Sequence, residues 1–149
     1  MKAVISILAG IEDDLPYAIL DSDRVGKEFQ KSLIESVYQG QKDKVTMVGD
    51  FSLVKTDAEI EDLIPSKTVA KIVDRILRSG ADEDFSDHVK ADEAIVPQIE
   101  GFASQHKMTL SDGWKVDLAR QVKQRLLKDD QVDPECLTRW QKLFEKMSS

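Results

Sequence analysis

Two aspartates, Asp21 and Asp23, stand one residue apart at the end of an apolar run covering residues 15–20. Like charges held that close repel one another unless a cation compensates them. Hard divalent cations such as Mg²⁺ take oxygen ligands and keep several waters, so two or three carboxylates suffice to hold one. The pair also has a simpler use, because aspartate favours turns and caps helices with its side-chain oxygen. Spacing alone leaves both readings open. Ligands of parallel sheets bind outside the carboxyl ends of the strands, which is where the pair would lie.

The elements that must position the pair follow from hydrophobic periodicity. Val4, Ile5, Ile7 and Leu8 suit one helical face, with Gly10 as the stop. Residues 15–20, with Tyr17 and Ile19 after Pro16, predict a buried strand. A second helix opens at Gly26, buries a stripe of Val25, Phe29, Leu33 and Val37, and closes at Gly40. Residues 44–48 alternate as a second strand. Ser66 caps a helix carrying Val69, Ile72, Val73, Ile76 and Leu77, stopped by Gly80. Helix alternating with strand implies parallel strands and crossover helices. Residues 81–100 are acidic and poorly periodic, and a long loop or hinge is expected there. A helix follows over residues 112–128. Another has Asp133 as N-cap and Pro134 at its first position, with Leu137, Trp140, Leu143, Phe144 and Met147 as its apolar face. The expected organisation is an α/β part over residues 1–80, then an acidic hinge and helical part over residues 81–149.

At 149 residues, 41% hydrophobic and 33% charged, the chain has the composition of a soluble globular domain. No apolar run approaches the roughly 20 residues that a membrane span needs. The N-terminal MKAVISILAG leads into Glu12-Asp13-Asp14 rather than a small-residue cleavage site, so it is not read as a signal peptide. A cytoplasmic location is expected, and the single Cys136, unable to form an internal disulfide, fits a reducing compartment. A net charge of −7 argues against indiscriminate nucleic-acid binding, which rests on cations neutralising phosphates. The charge is uneven, however. Residues 82–93 are mostly acidic, and residues 107–128, with Lys115, Arg120, Lys123 and Arg125, are mostly basic. His88 and His106 lack partners at metal-ligand spacing. Cys136 has no nearby His, and Trp114 and Trp140 suit core or interface anchors.

The stretch Ile19-Leu20-Asp21-Ser22-Asp23-Arg24-Val25-Gly26 is an apolar strand ending Asp-x-Asp, followed by a glycine that starts a helix. It resembles the second motif of the Toprim fold, shared by topoisomerases, DnaG-type primases and certain nucleases. Two other families place acids at such a strand end. Receiver domains need later Thr/Ser and Lys strand ends that this chain lacks in the right order. Haloacid-dehalogenase phosphatases open with a motif that Asp21-Ser22-Asp23-Arg24-Val25 matches, and Gly49-Asp50 resembles their late Gly-Asp. That late motif should lie a whole domain further on.

Within Toprim the chain is similar to the overcoming-lysogenization-defect (OLD) family of ATP-dependent endonucleases. Glu59-Ile60-Glu61-Asp62-Leu63-Ile64-Pro65 looks like its further acidic segment. Ser111-Asp112-Gly113-Trp114-Lys115-Val116-Asp117-Leu118-Ala119 looks like the helix start that carries its lysine. Taken without the resemblance, the acidic segment is an ordinary first turn of a helix, and Lys115 a solvated helix residue. The resemblance implies a Toprim-like parallel sheet flanked by helices, followed by a helical appendage. It implies Mg²⁺ or Mn²⁺ on Asp21 and Asp23, helped by Glu61 or its neighbours Glu59 and Asp62. It implies Lys115 as the catalytic cation, with Arg120, Lys123 and Lys128 following the DNA backbone. The implied partners are DNA and an ATPase domain or subunit, and a homodimer stays open. Toprim nucleases begin with a strand ending in glutamate, typically Val-Glu-Gly. Here Glu12 lies in the loop before the acid strand, and no Gly-x-x-x-x-Gly-Lys-Ser/Thr phosphate loop occurs. The expectation is a C-terminal piece of a longer polypeptide, or a truncated relative. The alternatives are a non-catalytic interaction or dimerisation module and an aspartate-based phosphatase.

Overall fold

The computed structural model describes residues 14–77, 83–128 and 132–148. The expected helix before Gly10, and its glycine stop, lie outside the described residues, as does Gly80. The described chain is mixed α/β and mostly helical, with one small parallel sheet.

Strand β1 (Ala18–Leu20) leads through Asp21-Ser22-Asp23 into helix α1 (Arg24–Glu35), which crosses over to strand β2 (Val45–Met47). The strands pair in parallel, Ala18 opposite Val45, Ile19 opposite Thr46 and Leu20 opposite Met47. Successive side chains of a strand point to opposite faces, so both faces of β1 are used. Ala18 and Leu20 pack with Leu33, Tyr38 and Val45 on the α1 side. Ile19 packs with Val48, Val54, Leu63 and Leu143 on the other. The strand is shorter than expected. Leu15 is buried but lies before it, its N–H donating to Gln41 Oε1 at 3.1 Å, and the Tyr38 hydroxyl donates to the Pro16 carbonyl at 2.8 Å.

The remaining helices are α2 (Ser66–Ile76), α3 (Ile95–Gln105), α4 (Trp114–Lys128) and α5 (Pro134–Ser148). The largest core joins Val69, Ile72 and Val73 of α2 to Phe85, to Ile95, Val96 and Ile99 of α3, and to Leu118 and Val122 of α4. That core draws on residues before and after position 80.

Several expectations change. The loop or hinge expected over residues 81–100 instead holds, among its described residues, a 3-10 turn at Phe85–Asp87 and the start of α3, both inside the main core. Helix α1 begins before Gly26, because Asp23 caps it, and Val25 is 62% exposed rather than part of the buried stripe. Pro65, not Ser66, is the N-cap of α2. On α5 the Asp133 cap is as expected, Oδ1 accepting from the N–H groups of Glu135 and Cys136. Its buried residues are Cys136 and Leu143, whereas Leu137, Phe144 and Met147 are exposed. No helix among the described residues is long and apolar enough to cross a membrane.

Candidate functional site

The carboxyl end of β1 is built from backbone outward. Ser22, between the two aspartates, is buried. Its N–H donates to the Ala58 carbonyl at 2.7 Å, and its Oγ accepts from the Gly49 N–H at 2.7 Å. A Cβ on Gly49 would come within 2.8 Å of that Oγ, so the glycine is what lets the end of β2 approach. Ser22 thus clamps both strand ends and holds its neighbours Asp21 and Asp23 at the rim. Lys55 closes the loop behind, donating to the carbonyls of Gly49 and Ser52. Sequence reasoning missed Ser22, Gly49 and Lys55. Small residues at a strand end were the available signal for the first two.

Asp23 is the N-cap of α1, its Oδ1 accepting from the Gly26 N–H at 2.6 Å. The structural reading of this aspartate is therefore fulfilled, with its other carboxylate oxygen left for a ligand. Asp21 faces solvent. Its pKa is raised, first by partial desolvation, then by the negative charges of Glu59 and Asp23. The Ile60 N–H and the Lys115 ammonium pull the other way.

Glu59 and Glu61 come from the 3-10 turn Ile60–Leu63 and the residue before it. Glu61 is half-buried, and desolvation raises its pKa, with the charges of Glu59 and Asp21 adding to it and Lys115 opposing. Lys115, in the first turn of α4, reaches Glu59 with Nζ–Oε2 at 2.7 Å. Desolvation works against its charge, but the Glu59 hydrogen bond and the charges of Glu59, Glu61 and Glu100 outweigh it, and its pKa rises. Asp21, Glu59, Glu61 and Lys115, from three separate segments, therefore form one electrostatic cluster.

Asp62 feels the charges of Glu59 and Asp21 as well, but its own oxygens serve the backbone. It is buried, its Oδ2 accepts from the Glu59 N–H at 2.9 Å, and its Oδ1 accepts from the Ile95 N–H at 2.8 Å. Both oxygens are used in tying the acidic turn to the start of α3, and the metal-ligand role expected of it is not the one its surroundings serve. Arg120 is turned to Asp117 at 3.2 Å. Lys123 lies beside an apolar cavity of about 340 Å³ that Glu61, Leu118 and Trp140 also line. Lys128 lies instead with Arg75 and Arg125. Five residues along an α-helix turn through about 140° beyond a full circle, so Lys123 and Lys128 face different sides, and the three expected DNA contacts do not form one stripe.

Among the described residues, no group of three or more His, Cys, Asp or Glu is arranged to hold a metal ion. The chemistry of the donors still suits a hard divalent cation. Asp21 and Glu61 are pushed up first by desolvation and then by neighbouring negative charge, and a cation would offset the second of these. Mg²⁺ is ordinarily held by one or two carboxylates plus waters and substrate phosphates rather than by an all-protein cage. Comparison of the chain with protein-family models, with curated proteins and with solved structures finds no match in any of the three.

Proposed function

We propose that this chain carries the metal-dependent phosphodiester-hydrolysing site of a Toprim-type DNA endonuclease of the OLD family. The observation that carries the reading is the meeting of Lys115 with Glu59 beside Asp21. An isolated acid pair caps a helix. An acid pair joined by two further carboxylates and one ammonium from remote segments is suited to binding a cation and a phosphate together.

Asp21 and Glu61, with the second oxygen of Asp23, would hold Mg²⁺ or Mn²⁺, and the bound ion supplies Lewis acidity toward water and phosphate oxygens. Glu59 positions Lys115 by accepting one of its N–H groups. An ammonium has three such donors, so two remain for a phosphate oxygen as charge grows on it. Ser22 fixes the backbone between the two aspartates, which keeps Asp21 directed outward. The ATPase domain or subunit, the cytoplasmic location and a homodimer belong to the same proposal.

A second reading, a non-catalytic interaction module, is favoured by Asp23 and Asp62 both serving the backbone. Calorimetry with Mg²⁺ and Mn²⁺ separates the two. The expected result is saturable binding by the intact chain that disappears in Asp21→Ala/Glu61→Ala. Lys115→Ala should keep the binding heat but lower Mn²⁺-dependent cleavage of duplex DNA about 10²–10³-fold, the usual effect of removing one transition-state donor. Absence of metal binding at millimolar concentration, or binding unchanged in the double variant, would sink the nuclease reading in favour of the second. Asp23 is left intact in this test, because removing the cap would unsettle α1 by about 1 kcal/mol.

A further inference from the structure

Helices α2 and α4 pack side by side, with Ile72 and Leu118 both in the main core, and the outer side of their seam is a basic cleft. On α2, Lys67, Lys71 and Arg75 recur every four residues, so they share one face, and all are exposed. Arg125 stands opposite them on α4, and Lys128 continues the line. Thr68, Gln121 and Gln124 supply neutral polar lining, and no carboxylate is among the described residues that line the cleft. Lys67, Lys71, Arg75 and Lys128 make no ion pair with any described residue. In a chain of net charge −7, that is a marked local concentration of positive charge.

We infer that this cleft binds the phosphodiester backbone of a nucleic acid. From Lys67 to Arg75 is about 12 Å along the helix axis, room for three or four phosphates of one strand at about 3.4 Å each. Lysine and arginine beside threonine and glutamine is the side-chain set that contacts phosphates. The cleft also stands in a useful place. Lys115 is the second residue of α4 and Lys128 its last. Thirteen residues of helix put them about 20 Å apart, or roughly six base pairs of duplex. The two lysines also stand about 140° apart around the helix, so a backbone gripped at Lys128 reaches the acidic cluster only by passing round α4. This deepens the endonuclease reading, but it stands on a separate observation and is tested without metal.

The test is fluorescence anisotropy of a mixed-sequence 20-base-pair duplex in EDTA, with salt varied from 50 to 200 mM. With three or four phosphates neutralised, affinity for the intact chain should fall about 10²-fold across that range. In Lys71→Ala/Arg75→Ala the same change in salt should cost only about tenfold, because two counterion releases are gone. Lys67→Ala/Lys128→Ala should do the same from two different helices, and far-UV circular dichroism should show both variants folded. Lys31→Ala, on α1 and outside the cleft, should bind like the intact chain. No binding at 50 mM salt, or an unchanged salt dependence in both double variants, overturns the inference. So does competition by poly-glutamate at equal charge concentration, which would make an acidic protein the partner. Absence of Mn²⁺-dependent cleavage by the intact chain, with its cleft binding present, would sink the metal-site reading alone. Cleavage with both double variants binding normally would sink this one alone.

Discussion

Replacing Gly26 by alanine tests whether the end of β1 is built as described. Elsewhere in a helix this change stabilises by about 0.5–1 kcal/mol, by reducing the freedom of the unfolded chain. At Gly26 the new Cβ would lie 1.8 Å from the Asp21 carbonyl oxygen and 3.1 Å from Asp23 Oδ1. Contacts below 3.0 Å essentially never occur, so the Cβ and the oxygen must separate by at least 1.2 Å. The obstacle is backbone, which cannot swing aside as a side chain would. Moving α1 stretches the 2.6 Å capping bond from Gly26 to Asp23. Overpacking of this kind costs about 1–3 kcal/mol, and a lost cap about 1 more. The clash outweighs the propensity gain, and a net loss of about 1–3 kcal/mol is expected, lowering Tm by about 3–10 °C. Gly101, exposed on α3 with nothing within 4 Å of its would-be Cβ, is the matched control. Gly101→Ala should raise Tm by about 2 °C. Thermal denaturation of both variants by circular dichroism reads the difference in sign. A Gly26→Ala variant melting at or above the parent would refute the close approach of α1 to Asp21.

Asp62→Ala should lower stability by about 2–4 kcal/mol in urea denaturation, because the N–H groups of Glu59 and Ile95 lose their acceptors; a loss under about 1 kcal/mol would mean that water replaces the carboxylate there. Asp21, Glu61 and Asp62 all hold their protons more tightly folded than their ordinary values of 3.8, 4.5 and 3.8 allow. The stability they contribute is full below those values and is lost as pH rises through the raised ones. Asp21→Asn should therefore gain on the parent in urea midpoint between pH 4 and 7 without metal, and parallel midpoints across that range would contradict the raised carboxyl. Burial pushes the Cys136 thiol up, and its Sγ donates to the Leu63 carbonyl at 3.3 Å. Its reaction with a disulfide reagent should follow unfolding, speeding steeply with urea, and rapid reaction in native buffer would show the thiol to be open.

What was legible in the sequence was mainly local. The Asp133-Pro134 start of α5 and the stripes of α1 and α2 follow from caps and periodicity, which act within one or two turns. Helix α3 was not read, although Ile95, Val96, Ile99, Phe102 and Ala103 keep a helical period, because the acidic residues before it masked the pattern. Periodicity shows which residues share a stripe and not how much of it is covered. That is why Val25, Leu137 and Phe144 were placed inside and are exposed. Charge type likewise says nothing of direction. In Glu59-Ile60-Glu61-Asp62, two carboxylates join the cluster and the third turns into the protein to hold backbone. The approach of Lys115 to the acidic segment came from the family resemblance, because no local rule links residues 56 positions apart.

The acidic turn Ile60–Leu63 and the residue before it have anchors that lie far ahead in the chain. Asp62 holds Ile95, Glu59 holds Lys115, and Leu63 accepts from Cys136. During synthesis at about 5–20 residues per second, Cys136 follows Asp21 by roughly 6–23 s. Throughout that interval the aspartates are already made, while the turn beside them lacks its last fastening. The carboxylates and the cation can thus come together only after Lys115 has been made, 94 residues after Asp21, and a nascent chain shorter than that carries the acids without the ammonium that would work with them.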